Sequence, residues 1–311
     1  MKTSKHMAAL ATPLFVLALS VAALATYTQP GGQGSTVSGN PAPTSEQVQS
    51  LVARAVENQH RNDRAIEQYE RVEHVVSHKD GENAEVVSDR IERVFPSGTG
   101  TMRLQTAQSS PPVSPEVRRR QLQFAVSALD LFLHPNDRVR QDLAKFEKRR
   151  RDHAELLDAS AKAFRITWAG RETRGSQTLV KLILEPDPNY KPTSRLAVTF
   201  EHIHAVLWVD EAQAQMVRLV GDITSDITFG GGIVGKVYHG GHFVMEQSEV
   251  APGVWFPTLY TYDVDGRKFL FGFGVHERTD VTQYRHVGPP SQSIELIRSE
   301  LNNLTAETPA Q

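Results

Sequence analysis

Gly230-Gly231-Gly232-Ile233-Val234-Gly235-Lys236 has the spacing of a phosphate-binding loop, G-x-x-x-x-G-K. The next residue should be Ser or Thr, whose hydroxyl ligates Mg²⁺, but it is Val237. From Val237 onward the pattern reads as a strand, whereas phosphate capture needs a helix N-terminus. A connection between strands is expected there, not a nucleotide site. His202 and His204 are spaced i, i+2, so on a strand they would point the same way and could share a metal. Glu201 is adjacent, but no third ligand stands at a diagnostic spacing, and polar positions on a half-exposed sheet are the preferred reading. His276-Glu277-Arg278-Thr279-Asp280 echoes a zinc-protease motif that works only on a helix. Here it follows strand periodicity, which would put His276 and Asp280 roughly 13 Å apart. No G-x-S-x-G elbow supports Ser-His-Asp catalysis. Nothing nominates a carboxylate pair for glycoside hydrolysis. No catalytic, metal or cofactor residue is therefore assigned, and no cofactor is expected.

Two basic clusters stand out: Arg118-Arg119-Arg120 and Lys148-Arg149-Arg150-Arg151. One reading is a solvated helix face with i, i+4 partners such as Glu147 with Arg151. The other is contact with anionic lipid headgroups or an acidic envelope protein. These residues are the candidate interaction surface.

The elements that would carry these groups follow from periodicity. Ser45 is expected to cap a helix over about 46–69, with Leu51, Val52, Ala55 and Val56 on one side. Period-two patterning then gives a hairpin turning at Lys79-Asp80-Gly81. Leu122, Val126, Leu129 and Leu133, and later Leu143, Phe146, Leu156 and Leu157, mark a helical hairpin inserted at about 115–163. His134-Pro135 breaks it. The rest, 164–284, is expected to be antiparallel strands. Leu179–Leu184 would be buried on both faces, and a tight turn at Asp265-Gly266 would join the last two strands. Gly272 and Gly274 share a face with Leu270 and His276, which suggests curvature or close approach by a helix or ligand. The fold class is α+β: a strongly curved antiparallel sheet of roughly eight to eleven strands, a half-open barrel, with two or three helices over its inner face.

Lys2 and Lys5 precede an uncharged apolar run from Met7 to Leu24, and Ala23-Leu24-Ala25 supplies a small-x-small cleavage site. Residues 1–25 are expected to be a signal peptide cleaved near Ala25, giving a periplasmic or secreted protein; a retained leader would be a membrane anchor. Residues 26–44 read as a disordered linker, 45–287 as a single domain, and 288–311 as a C-terminal tail. The chain has no cysteine, which excludes disulfides, thiol catalysis and an N-terminal lipidated cysteine. Two of the 34 basic residues and none of the 36 acidic ones lie in residues 1–25, so the remainder carries −4. That balance gives no nucleic-acid footprint.

Leu184-Glu185-Pro186-Asp187-Pro188-Asn189-Tyr190-Lys191-Pro192, then Leu207-Trp208-Val209-Asp210, Met216-Val217-Arg218-Leu219, Ile227-Thr228-Phe229-Gly230-Gly231-Gly232 and Val254-Trp255-Phe256-Pro257-Thr258 follow in order. This order resembles exported bacterial proteins of the periplasmic lipoprotein-carrier (Lol-type) superfamily, over roughly 165–284. The resemblance implies a half-open barrel with a helical lid over an apolar cavity that shelters acyl chains. It carries no functional residue position by position, and the inserted helical hairpin departs from the compact carriers. Phe243, Met245, Trp255, Phe269, Phe271 and Phe273 are the candidates to line such a cavity, with ordinary core as the alternative for each. The expected function is a non-enzymatic periplasmic binding or carrier protein. Its partner would be a lipid, an acylated protein or another amphiphile, with envelope proteins and peripheral membrane contact also expected. The alternatives are an envelope interaction module using the basic hairpin, and a secreted hydrolase in which His202, His204 and an acid converge.

Overall fold

The computed structural model describes residues 41–81, 84–106 and 113–306. The expected signal peptide, most of the linker and residues 307–311 lie outside the described residues.

Helix α1, Ser45–Ala65, begins one residue earlier than expected. Thr44, not Ser45, caps it: its hydroxyl accepts from Gln47 N–H at 3.2 Å, and Gln47 Oε1 accepts from Thr44 N–H at 2.8 Å. This reciprocal pair satisfies two donors that the first turn would otherwise leave open. Helices α2, Pro115–Leu133, and α3, Asp137–Ala163, form the helical hairpin. Ser114 caps α2 by accepting from Val117 N–H, with Pro115 where no N–H is needed. Asn136 caps α3 by accepting from Val139 N–H. Helix α4, Pro290–Ala306, occupies most of the stretch expected to be a tail. Its Ile294, Ile297, Leu301 and Leu304 recur at helical spacing and pack inward.

Twelve strands are found among the described residues, where eight to eleven were expected: β1 Tyr69–His78, β2 Val86–Pro96, β3 Thr101–Gln105, β4 Phe164–Arg174, β5 Gln177–Pro186, β6 Ile203–Asp210, β7 Met216–Ile223, β8 Ile227–Phe229, β9 Gly235–Val237, β10 His242–Ala251, β11 Val254–Lys268 and β12 Phe271–His286. The short β3, β8 and β9 account for the difference. The sheet runs β3-β2-β1-β12-β11-β10-β7-β6-β5-β4, with β9 on β11 and β8 on β9. It is antiparallel wherever its registers are resolved, and its end strands β3 and β4 do not meet, so it is not closed. The architecture is α+β.

The described chain divides into two compact units. The first comprises residues up to Gln59, Asp152–Gln247 and Thr261–His276. Its core joins Val48, Leu51, Val52 and Ala55 of α1 and Leu156, Ala159 and Ala163 of α3 to inward residues of β4–β10. Asn58 donates to the carbonyls of Gln213 and Ala214 at 2.9 and 2.7 Å, fixing α1 to the β6–β7 turn. The expectation that β5 is buried on both faces fails at Ile183, which is exposed, and at Lys181, whose ammonium lies 5.1 Å from the Trp208 ring. Only the Val180, Leu182 and Leu184 face, with Leu179, is core.

The second unit comprises His60–Arg151, Ser248–Tyr260 and residues from Glu277 onward. Phe95, Met102 and Leu104 of β2 and β3 pack with Leu122, Ala125 and Leu129 of α2 and with α4. A bulge between Glu70 and Val72 shifts the β1 register and turns Glu73 and Val75 inward. The two buried carboxylates are paired: Arg71 and Arg103 reach Glu73 at 2.8 and 2.6 Å, and Arg93 and Arg285 reach Glu70.

Candidate functional site

The first unit carries a tip built from two adjoining turns. The triple glycine bends the chain between β8 and β9: Gly230, Gly231 and Gly232 have φ of 59°, 63° and 82°. Three consecutive left-handed residues are tolerable only without a Cβ. The reversal delivers Ile233 and Val234 to the surface, at 76% and 49% exposure. As expected, the stretch leads into a strand and not a helix, so it has no phosphate-binding frame.

The second turn is Phe269-Leu270, between β11 and β12. This corrects the expected turn at Asp265-Gly266, which lies inside β11 with Gly266 opposite Val237 of β9. Phe269, Leu270 and Phe271 are 52%, 92% and 67% exposed. Phe269 sits at φ 55°, a left-handed conformation that L side chains avoid.

The β9–β11 ladder holds the two turns side by side, pairing Arg267 with Lys236 and Lys268 with Gly235. Phe269 N–H donates to the Val234 carbonyl at 3.1 Å, and Arg267 Nη1 donates to the Phe269 carbonyl at 2.8 Å. Five large apolar side chains thus share one anchored tip. Soluble proteins rarely leave a contiguous apolar patch of more than a few hundred Å² uncovered without an interaction to make there.

Behind this crown the chemistry changes in a fixed order. Lys236, Arg267 and Lys268 are within two residues of it along the chain, and Tyr238 follows, with the Lys236 ammonium 5.6 Å from its ring. The nearby carboxylates are engaged by the protein's own groups. Asp226 takes Lys236 at 2.6 Å and the backbone and ring nitrogens of His239 at 2.9 and 3.0 Å. The Lys236 hydrogen bond, then those from His239, hold its carboxyl far below the usual range. His276 lies buried with Nδ1 2.5 Å from Asp263 and Nε2 3.5 Å from Asp265. A Cβ at Gly274 would come within 2.5 Å of that imidazole. On the glycine face the close approach is therefore at Gly274, where the protein's own side chains make it, while Gly272 has nothing nearer than the Gly266 carbonyl oxygen at 3.9 Å.

The six aromatic and Met candidates are not brought onto one surface. Phe243 is fully buried in the first unit's core, and Met245 and Phe273 pack against that core. Trp255 is fully buried in the second unit. Only Phe269 and Phe271 reach the tip. Sequence reasoning missed Ile233, Val234 and Leu270. Their signal was an uninterrupted apolar triplet, Phe269-Leu270-Phe271, and an apolar pair directly after three glycines.

The basic clusters lie on α2 and α3. Arg118, Lys148, Arg149 and Arg151 are exposed, but part of the charge is answered internally. Arg120 approaches Glu116 at 3.6 Å, Arg150 pairs with Glu67 and Glu147 at 2.9 and 3.0 Å, and Arg119 is engaged as well. Arg149 and Arg150 also lie over the Phe146 ring. His202 ends a 3-10 turn and bonds Ser225 at 2.8 Å, while His204 stands in β6 opposite Asp222. Asp280 accepts two bonds from Arg278. Among the described residues, no three His, Asp or Glu side chains are grouped to hold a metal. An open recess of about 400 Å³ is lined by residues 176–178 and 210–213, a mostly polar set.

No family model matches the chain, and no curated protein matches it. Two solved structures are similar to it. One is a LolA superfamily protein from Nitrosomonas europaea, at 13% identity, covering 80% of this chain and 96% of that one, with a TM-score of 0.25. The other is a DUF1329 family protein from Desulfovibrio piger, at 12% identity, covering 77% and 93%, with a TM-score of 0.26.

Proposed function

We propose that the protein is a non-enzymatic binding or carrier protein for a lipid, an acylated protein or another amphiphile, acting outside the cytoplasm after export. The observation that carries this reading is the anchored apolar tip of Ile233, Val234, Phe269, Leu270 and Phe271. Contact with an acyl chain needs no reactive group. It needs apolar surface that water would otherwise wet, worth about 25 cal/mol per Å² covered. Burying Leu270 alone would contribute about 1.5–3 kcal/mol. The binding surface in this reading is the tip rather than a cavity lined by Phe243 and Trp255.

The test is native mass spectrometry and lipid extraction on the exported protein purified from a periplasm, with titration of a monomeric lysophospholipid. Co-purified or titratable amphiphile, with a raised melting temperature, is the expected result. A protein that carries none, and whose melting is indifferent to lysophospholipid, overturns the reading.

A further inference from the structure

We infer that the tip inserts into the surface of a lipid bilayer bearing anionic headgroups. This rests on the amphiphile-binding reading and names the physical form of the ligand. The argument is the order of chemistry along the tip. Leu270 and Ile233 are the most exposed apolar side chains of the tip, at 92% and 76% exposure. Phe269, Phe271 and Val234 widen the apolar cap around them. Lys268 follows Phe269 directly in the reverse chain direction and is exposed, and no ion pair to it is found among the described residues. Arg267 and Tyr238 complete the next layer, together with Lys236, whose charge Asp226 answers at 2.6 Å.

An apolar tip followed by cations and a tyrosine, with the neighbouring carboxylates already paired, is the sequence of environments met on leaving acyl chains and crossing headgroups. A single acyl chain would account for the apolar cap but not for the cationic belt. A neutral protein groove would leave Lys268 and Arg267 unmatched. The anionic bilayer surface satisfies both layers at once. The two turns are pinned by the β9–β11 ladder and the Phe269–Val234 bond, so insertion orders little that is not already fixed.

The experiment is co-sedimentation of the exported protein with vesicles of phosphatidylcholine alone and of phosphatidylcholine with phosphatidylglycerol. Leu270→Asp and Lys268→Glu are run beside it. Binding to the anionic vesicles, at least tenfold weaker for Leu270→Asp and weakened by salt, is expected. Both variants should melt with the parent, since both side chains are exposed. A Leu270→Trp variant should shift its emission to the blue on anionic vesicles and be quenched by brominated acyl chains. Equal binding by Leu270→Asp, or no binding by the parent, overturns the proposal. If lysophospholipid still binds in that case, the amphiphile reading survives and only the bilayer is wrong. If neither ligand binds, both fall. A dimer dissolved by Leu270→Asp, without vesicle binding, would assign the tip to a second copy and overturn the proposal too.

Discussion

A Cβ at Gly266 would stand 2.5 Å from the backbone carbonyl oxygen of Lys236. No side chain fits there, and the Phe273 ring closes the same space at 2.6 Å. The neighbouring glycine differs: at Gly272 the nearest atom to a built Cβ is the Gly266 carbonyl oxygen at 3.9 Å, an ordinary contact. Gly266→Ala should therefore destabilise the protein by about 1–3 kcal/mol, because a backbone atom must move. Gly272→Ala should fall within about 0.5 kcal/mol of the parent. Thermal unfolding of the two variants separates them, and equal melting would show that the β9–β11 approach is not tight.

Arg93 binds both oxygens of Glu300, at 2.7 and 3.0 Å, and Glu70 as well. Burial lowers the Arg93 pKa, but the Glu300 hydrogen bond and the charges of Glu70 and Glu300 outweigh it and raise it overall. Removing the guanidinium leaves Glu70 buried with Arg285 still paired to it. Arg93→Met should cost about 3–5 kcal/mol, toward the lower end because Arg285 stays. Urea denaturation measures this. A near-neutral effect would mean that the methionine packs as well as the ion cluster.

The acid response follows from the same region. Burial would raise the Glu73 carboxyl, but Arg71 and Arg103 outweigh it and hold it below its ordinary value. Glu300 is likewise lowered: burial opposes, and Arg93 and Arg285 prevail. A carboxyl lowered by folding stabilises the native state above its unfolded value, and that stability is lost as pH falls through the folded value. The urea midpoint should stay level from pH 7 to about pH 5 and then fall steeply. Arg103→Gln removes one of the groups that hold Glu73 down, so its midpoint should start lower at pH 7 and fall less on acidification, converging on the parent in acid. Parallel curves for parent and variant would remove Glu73 from the acid transition.

Much of the architecture was legible where periodicity is local. Leu122, Leu129 and Leu156 announced helices, and the His134-Pro135 break fell where α2 ends. Legibility stopped where a residue's role is set by a distant partner. Asp265-Gly266 carries turn chemistry, yet Gly266 is needed for the Lys236 carbonyl, so the strand runs on and the turn forms from the poor sequence Phe269-Leu270. Nothing in the local strand pattern marks Glu73 for burial, but a bulge turns it inward and arginines from β1 and β3 meet it. Helix α4 had a readable 3-4-3 spacing in Ile294, Ile297, Leu301 and Leu304 that the tail reading passed over. The tip was half legible: its aromatics were singled out, but for an interior they do not line.

Phe269 separates strain from surface at that tip. Its left-handed backbone costs about 1–2 kcal/mol for a residue with a Cβ. Asn adopts this conformation with local hydrogen bonding and carries no ring. The bonds that hold the turn use the Phe269 backbone, Phe269 N–H to Val234 and Arg267 to the Phe269 carbonyl, so Phe269→Asn should keep them. The variant should melt at or above the parent temperature, by an amount equivalent to no more than about 1 kcal/mol. It should also bind anionic vesicles less well, because an exposed ring has been removed from the cap. Melting and co-sedimentation on the same preparation check both halves. A large drop in melting temperature would show that the ring packs within the protein. Unchanged vesicle binding would show that it contributes nothing outside it.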